Sequence, residues 1–191
     1  MASELDICNR AMQRLGADKI NALDPPSNKN ARSLAFGYPL IRDAELQRHP
    51  WSFARARVQL ATLATAPTFG WDYQYDVPAD FIRVCTIGEY DDPETEWEIE
   101  ARKLLVNVDG PLDFVYFKRV TDTTLFDPLF VEALGARLAY EFCEEITQSN
   151  TKKAEALDAY REIIAEAKKS NAIQRPPQRR RESSWETARL S

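Results

Sequence analysis

The sequence predicts an α+β fold in which N- and C-terminal helices form an antiparallel bundle with an inserted antiparallel β-sheet or sandwich region. Apolar residues recur with the helical period of about 3.6 residues near both ends of the chain, and they alternate with polar residues in the middle. After residue 173 the composition changes to a polar, arginine-rich tail of the kind that is disordered in isolation. We therefore divide the chain into N-terminal helices (1–50), a β region (51–122), C-terminal helices (123–173) and a flexible basic tail (174–191).

Capping residues mark the first helices. Ser3 followed by Asp6 is typical of a helix N-cap with an acidic third position, and Gly16 is typical of a helix end. A proline-containing turn follows, and Ser27 can cap a second helix. Pro39 falls inside that helix, so we expect it to kink the helix or to divide it in two.

The change from helix to strand is predicted at His49-Pro50-Trp51. A residue that precedes proline disfavours helical geometry, so the second helix should end at about His49. Short segments of alternating apolar and polar residues then follow, separated by turn sequences, which favours an antiparallel sheet. We interpret the corner formed by these three residues as the hinge between bundle and sheet. The predicted strands cover residues 54–60, 73–77, 81–87, 97–101, 103–108 and 112–120.

Helical signals return at Asp127-Pro128, an N-cap followed by proline at the first helical position. Gly135 and Ala139 form a strip of small residues where another helix or a neighbouring subunit can approach closely. The last helix is predicted from about Lys152 to Ala172. The apolar stripe of the preceding helix consists of Phe130, Leu134, Leu138, Phe142 and Ile146.

Charge is distributed unevenly along the chain. Residues 175–191 contain five arginines and two glutamates, a net charge of +3, and because the whole chain carries −5, residues 1–174 carry −8. A body this acidic should repel nucleic acid. No apolar run approaches the roughly 20 residues that cross a bilayer, and the N-terminus lacks a secretory pattern. We therefore expect synthesis in a reducing cytoplasm, no membrane partner, and buried, unpaired roles for Cys8, Cys85 and Cys143.

The sequence contains no recognisable catalytic signature. Its six glycines are too far apart for a phosphate-binding loop, and its one histidine, His49, lacks the spacing of a catalytic triad. The cysteines have neither disulfide nor zinc-site spacing. We therefore expect a protein that is not an enzyme and that needs no cofactor or metal.

Two alternative functions stay open. The acidic segment 89–100 places carboxylates beside Tyr90 and Trp97, as a polysaccharide hydrolase would, with Glu96 and Glu98 as the groups to replace. We favour a solvated hairpin loop for this segment. The arginine triplet at 179–181 is the second alternative, a DNA-binding module, although no stacking aromatic residues are interleaved with it.

One stretch resembles a known family. In residues 38–61, YPLIRDAELQRHPWSFARARVQLA, a helix ends in His-Pro-Trp-x-Phe-Ala and a strand follows. This resembles the tail tubular protein A family, the head-to-tail adaptors of short-tailed bacteriophages. The resemblance extends over nearly all of residues 3–173, in the family's order, through LDICNRAMQRLGADKI, FGWDYQYDVPADFIRV, FKRVTDTTLFDPLFVEALGARLAYEF and LDAYREIIAEAK.

The resemblance implies a structural protein of the virion, located in the tail or neck and assembled in the host cytoplasm. Its expected form is a ring, a dodecamer in the virion, that connects the portal protein to the tail nozzle protein. Genomic DNA would pass through the ring during ejection without sequence-specific binding. The tail matches the family in character only, and its expected portal-docking residues are Arg179, Arg180, Arg181, Trp185 and Leu190.

Overall fold

The computed structural model describes residues 2–88 and 95–174, and these have the predicted α+β architecture. The tail residues singled out above and residues 89–94 of the acidic segment lie outside the described ranges. No helix in those ranges has both the length and the apolar content needed to cross a membrane. The elements are α1 (Glu4–Leu15), α2 (Lys29–Arg48), β1 (Arg55–Leu60), β2 (Tyr73–Asp76), β3 (Phe81–Ile87), β4 (Trp97–Glu100), β5 (Lys103–Val106), β6 (Leu112–Lys118), α3 (Pro128–Thr147) and α4 (Asn150–Ile173).

The caps of α1 and the end of α2 at His49 match the sequence prediction, whereas the N-cap of α2 does not. The Ser3 side chain accepts from the Asp6 amide and the Asp6 carboxylate accepts from the Ser3 amide, which completes a capping box. Gly16 ends α1 in the left-handed region, at φ 67°. Asn28, and not Ser27, caps α2, because the Asn28 side chain accepts from the Ala31 amide at 2.8 Å.

Of the two outcomes expected at Pro39, a kink or a division of the second helix, the division is wrong. A single helix, α2, continues from Lys29 to Arg48 with Pro39 exposed on its surface. Buried residues on both sides of the proline fix the helix to the bundle, among them Leu34 and Leu46. Packing of these flanking turns outweighs the loss of one backbone donor at the proline.

The helix α3 lies at the centre of the bundle and packs against α1, α2 and α4. Its predicted stripe supplies three residues with no exposed surface, Phe130, Leu134 and Leu138. The first and last helices contact each other only slightly, so α3 mediates the pairing that the sequence suggests for them. Gln148 and Ser149 connect α3 to α4, and the Ser149 hydroxyl accepts from the Lys152 amide as an N-cap.

The β region forms two three-stranded antiparallel sheets, ordered β1-β6-β3 and β2-β5-β4. The central strand β6 is buried on both faces: Phe114 and Tyr116 point into a core shared with the second sheet, and Phe117 packs on the bundle. Since side chains alternate along a strand, one strand serves two cores. The molecule therefore has three layers in the order bundle, first sheet, second sheet.

Candidate functional site at the bundle-to-sheet corner

The corner of His49, Pro50 and Trp51 lies where the bundle meets the first sheet. His49 caps the C-terminal end of α2, and the chain enters β1 four residues after Trp51. The indole of Trp51 is buried, with its ring centre 4.9 Å from that of Phe130 in an edge-on arrangement. Its Nε1 donates to the Glu45 carbonyl oxygen at 2.9 Å, which ties the corner back to α2. The predicted hinge is therefore a tightly packed joint.

Asn171 of α4 holds the corner from the other side. It is 3% exposed, and its side-chain oxygen accepts from the Ser52 amide at 2.8 Å. Its side-chain nitrogen donates to the Pro50 carbonyl oxygen at 3.2 Å and lies 3.0 Å from His49 Nε2. The side-chain amide of Asn171 thus pairs two backbone groups of the segment between α2 and β1, the Ser52 amide and the Pro50 carbonyl.

A buried charge lies next to this joint. Glu45 of α2 is 1% exposed, and its Oε1 accepts from the Tyr160 hydroxyl of α4 at 2.8 Å. Two arginines neutralise the carboxylate: Arg48 Nη1 lies 3.7 Å from the same oxygen, and Arg137 Nε of α3 lies 3.9 Å from it. Arg48 Nη1 also donates to the Tyr160 hydroxyl at 2.6 Å.

The cluster brings three helices together through one carboxylate. Burial, the negative charge of Glu45 and the hydrogen bond to it raise the pKa of Tyr160 to about 12, so the hydroxyl stays protonated and keeps donating at neutral pH. The guanidinium groups of Arg48 and Arg137 also lie over the Tyr160 ring, 5.9 and 5.3 Å from its centre. A buried network of this kind favours the one alignment of α2, α3 and α4 in which all its members are paired.

The other predicted packing residues lie inside the bundle. A Cβ at Gly135 would stand 3.2 Å from Arg10 Cγ, so this glycine allows α1 to approach α3 closely. Ala139 is buried in the same core and leaves no outer surface for a neighbouring subunit. A second close approach, which the sequence analysis missed, joins α2 to α3, because a Cβ at Gly37 would overlap the Phe142 ring.

The described part of the acidic segment lies at an edge of the second sheet. Glu96, Glu98 and Glu100 are exposed there, and β4 is an outer strand. A glycosidase acid needs a desolvated carboxyl group to stay protonated at neutral pH, and these three are in contact with solvent. Their positions therefore give the hydrolase alternative no support.

Sequence reasoning missed Glu45, Arg137, Tyr160 and Asn171 as members of the joint. Glu45 and Asn171 could have been found from the sequence, because each is a polar residue on an apolar helix face, and a buried polar group needs a partner. Glu45 follows Tyr38 by seven residues, and Asn171 follows Ile164 by seven, so each shares a face with a buried residue. The identity of the partner could not be read, since Glu45 and Tyr160 are 115 positions apart.

No protein-family model and no curated protein matches this chain. Across the described residues, no group of three or more histidine, cysteine, aspartate or glutamate side chains is arranged to hold a metal ion.

Proposed function

We propose that this chain is a structural head-to-tail adaptor, a subunit of a ring between a phage portal and tail nozzle through which DNA passes. The observation that carries the proposal is the tightly packed joint at the corner. A bundle and a β region held in fixed orientation can present one surface to each neighbouring component of a stacked assembly. The corner also coincides with the His-Pro-Trp-x-Phe-Ala motif that gives the clearest resemblance to the adaptor family.

The charge distribution supports the same function. With a net charge of −8, residues 1–174 would line a conduit that repels phosphates instead of gripping them. The basic tail is the expected portal contact, with Trp185 as an apolar anchor and Arg179, Arg180 and Arg181 around it. Each contact can be weak, because a ring presents many of them at once.

The test is to mix the purified chain with the portal protein encoded in the same genome and to determine symmetry and stoichiometry by electron microscopy. We expect a second ring stacked on the portal with the full-length chain, and none with residues 175–191 removed. Trp185→Ala should weaken stacking, whereas the matched control Trp97→Ala, on the outer strand β4, should leave it intact.

A ring that still forms without residues 175–191 would keep the adaptor function and place docking on the body of the protein. If the full-length chain binds no portal at any concentration tested, the adaptor function is wrong.

A further inference from the structure

The outward face of α2 carries an apolar patch that nothing in the described chain covers. Phe36 is 78% exposed and Leu40, one turn later, is 64% exposed. Pro39 is exposed beside them, while the opposite face of α2 is buried on α3. Large apolar side chains adjacent on one helix face, and this exposed, are typical of an interaction surface.

Two cations extend this patch toward the start of α2. Lys29 and Arg32 are exposed on the same face, at helical spacing from Phe36. Neither has a carboxylate partner within ion-pair distance among the residues that the structure describes. Asp43, the acidic residue further along this face, is already paired with Arg119 at 2.7 Å. We call Lys29, Arg32, Phe36 and Leu40 the α2 face.

A surface of opposite charge runs along α4. Glu155, Glu162 and Glu166 are exposed on its outward side at helical spacing, and no cation of the described ranges pairs with them. Asp158 lies beside them but is paired with Arg161 at 3.1 Å. Lys169, three residues after Glu166, is exposed on the same side and has no carboxylate partner in the described residues. We call Glu155, Glu162 and Glu166 the α4 face.

We propose that the α2 face of one copy docks on the α4 face of the next copy. The proposal rests on the proposed ring function, and it names the surfaces that join neighbouring subunits. Each copy would contribute a different face to each contact, and such head-to-tail contacts close into rings or extend into filaments. Charge complementarity selects a second copy, since the unpaired cations and the unpaired carboxylates lie on different helices of the same chain.

The α2 face is small, which favours weak association. The α2 face extends over the 12 residues from Lys29 to Leu40, which is about 18 Å of helix about 10 Å wide, so it offers roughly 180 Å². A stable pair of proteins buries about 800 Å² on each partner. Two free copies should therefore associate weakly, and ring closure on a portal template should strengthen the contact.

The first experiment is sedimentation velocity on the full-length chain from micromolar to millimolar concentration. We expect reversible self-association that weakens as salt screens the charges. Phe36→Ser with Leu40→Ser should weaken it at least about tenfold, because both side chains lose apolar burial. The matched control, Val58→Ser with Leu125→Ser, changes two exposed apolar residues elsewhere and should leave self-association unchanged.

Charge reversal tests which two faces meet. Lys29→Glu with Arg32→Glu makes both faces of a copy negative, and Glu155→Lys with Glu162→Lys makes both positive. Either variant alone should sediment as a monomer, and an equimolar mixture should regain association because every contact is again between opposite charges. Circular dichroism checks that each variant is folded.

The proposal would be overturned by a wild-type chain that stays monomeric throughout, by serine variants that associate like wild type, or by a mixture of the charge-reversed variants that fails to recover association. Loss of association on removing residues 175–191 would assign self-association to that tail and would also overturn the proposal. The portal-mixing experiment distinguishes a failure of this proposal from a failure of the adaptor function. Stacked rings made by the serine variants would refute only the docking surface, and self-association without portal binding would refute only the adaptor function.

Discussion

Replacing Tyr160 by phenylalanine should lower the free energy of unfolding by about 2 kcal/mol at neutral pH. The Tyr160 hydroxyl is the hydrogen-bond donor to Glu45 Oε1 at 2.8 Å, and Glu45 Oε2 has no hydrogen-bond partner in the described chain. A hydrogen bond to a charged group contributes about 1.5–3 kcal/mol. The arginines at 3.7 and 3.9 Å stay in place and keep the carboxylate neutralised, so the loss should fall near the middle of that range. For a chain of this length, 2 kcal/mol lowers Tm by about 4–8 °C.

The assay is urea unfolding at pH 7, followed by tryptophan fluorescence, since Trp51 is buried beside the network. Tyr140→Phe is the matched control: Tyr140 also lies under the Arg137 guanidinium, at 5.7 Å, and it makes no hydrogen bond to Glu45. A double-mutant cycle with Glu45→Gln should show that the two changes are coupled. If Tyr160→Phe costs no more than Tyr140→Phe, the hydroxyl does not stabilise the buried carboxylate and our account of the joint is wrong.

Three further predictions concern the joint and the helix contacts. Asn171→Ala leaves the Ser52 amide and the Pro50 carbonyl unpaired, so the free energy of unfolding should fall by about 2–4 kcal/mol in the same urea assay; an unchanged midpoint would contradict the bridging role. Burial raises the pKa of Glu132, but hydrogen bonds from its two arginine partners on α1 outweigh burial and lower it. The stabilisation by Glu132 is therefore complete above the ordinary glutamate pKa and is lost as pH falls through the lower folded value, so Glu132→Gln should flatten the acid side of the stability curve. The same change at exposed Glu155 should not flatten that curve. Ser3→Ala removes the α1 cap and should lower the free energy of unfolding by about 1 kcal/mol, measured by calorimetry.

Local chemistry made much of the fold predictable from the sequence. The Ser3 cap, the Gly16 stop and the Asp127-Pro128 start depend on neighbouring residues, and each is present in the structure. Strand β3 has the predicted bounds, and the other strands are shorter than predicted by one to two residues at an end. Alternation of side chains fixes where a strand lies, but pairing decides where it stops.

Features that depend on contacts between distant parts of the chain could not be predicted from the sequence. Pro39 has a local tendency to break a helix, yet contacts with α3 on either side keep α2 continuous. The sequence left one sheet and a sandwich of two sheets as alternatives. Which strands share a sheet could not be predicted, because β6 pairs with β1 and β3, which lie far from it in the sequence. The buried partners Glu45 and Tyr160 are known as a pair only once α2 and α4 are placed beside α3.

The central position of α3 also constrains how the chain is made. Helices α1 and α2 bury their apolar faces on α3, but the whole β region is synthesised between α2 and α3. At roughly 5–20 residues per second, the roughly 100 residues from the end of α2 to the end of α3 take about 5–20 s to emerge. During that interval α1 and α2 lack α3, the helix on which they bury their apolar faces, and the β region can fold first. A chain that stops before α3 should therefore expose these apolar faces and aggregate.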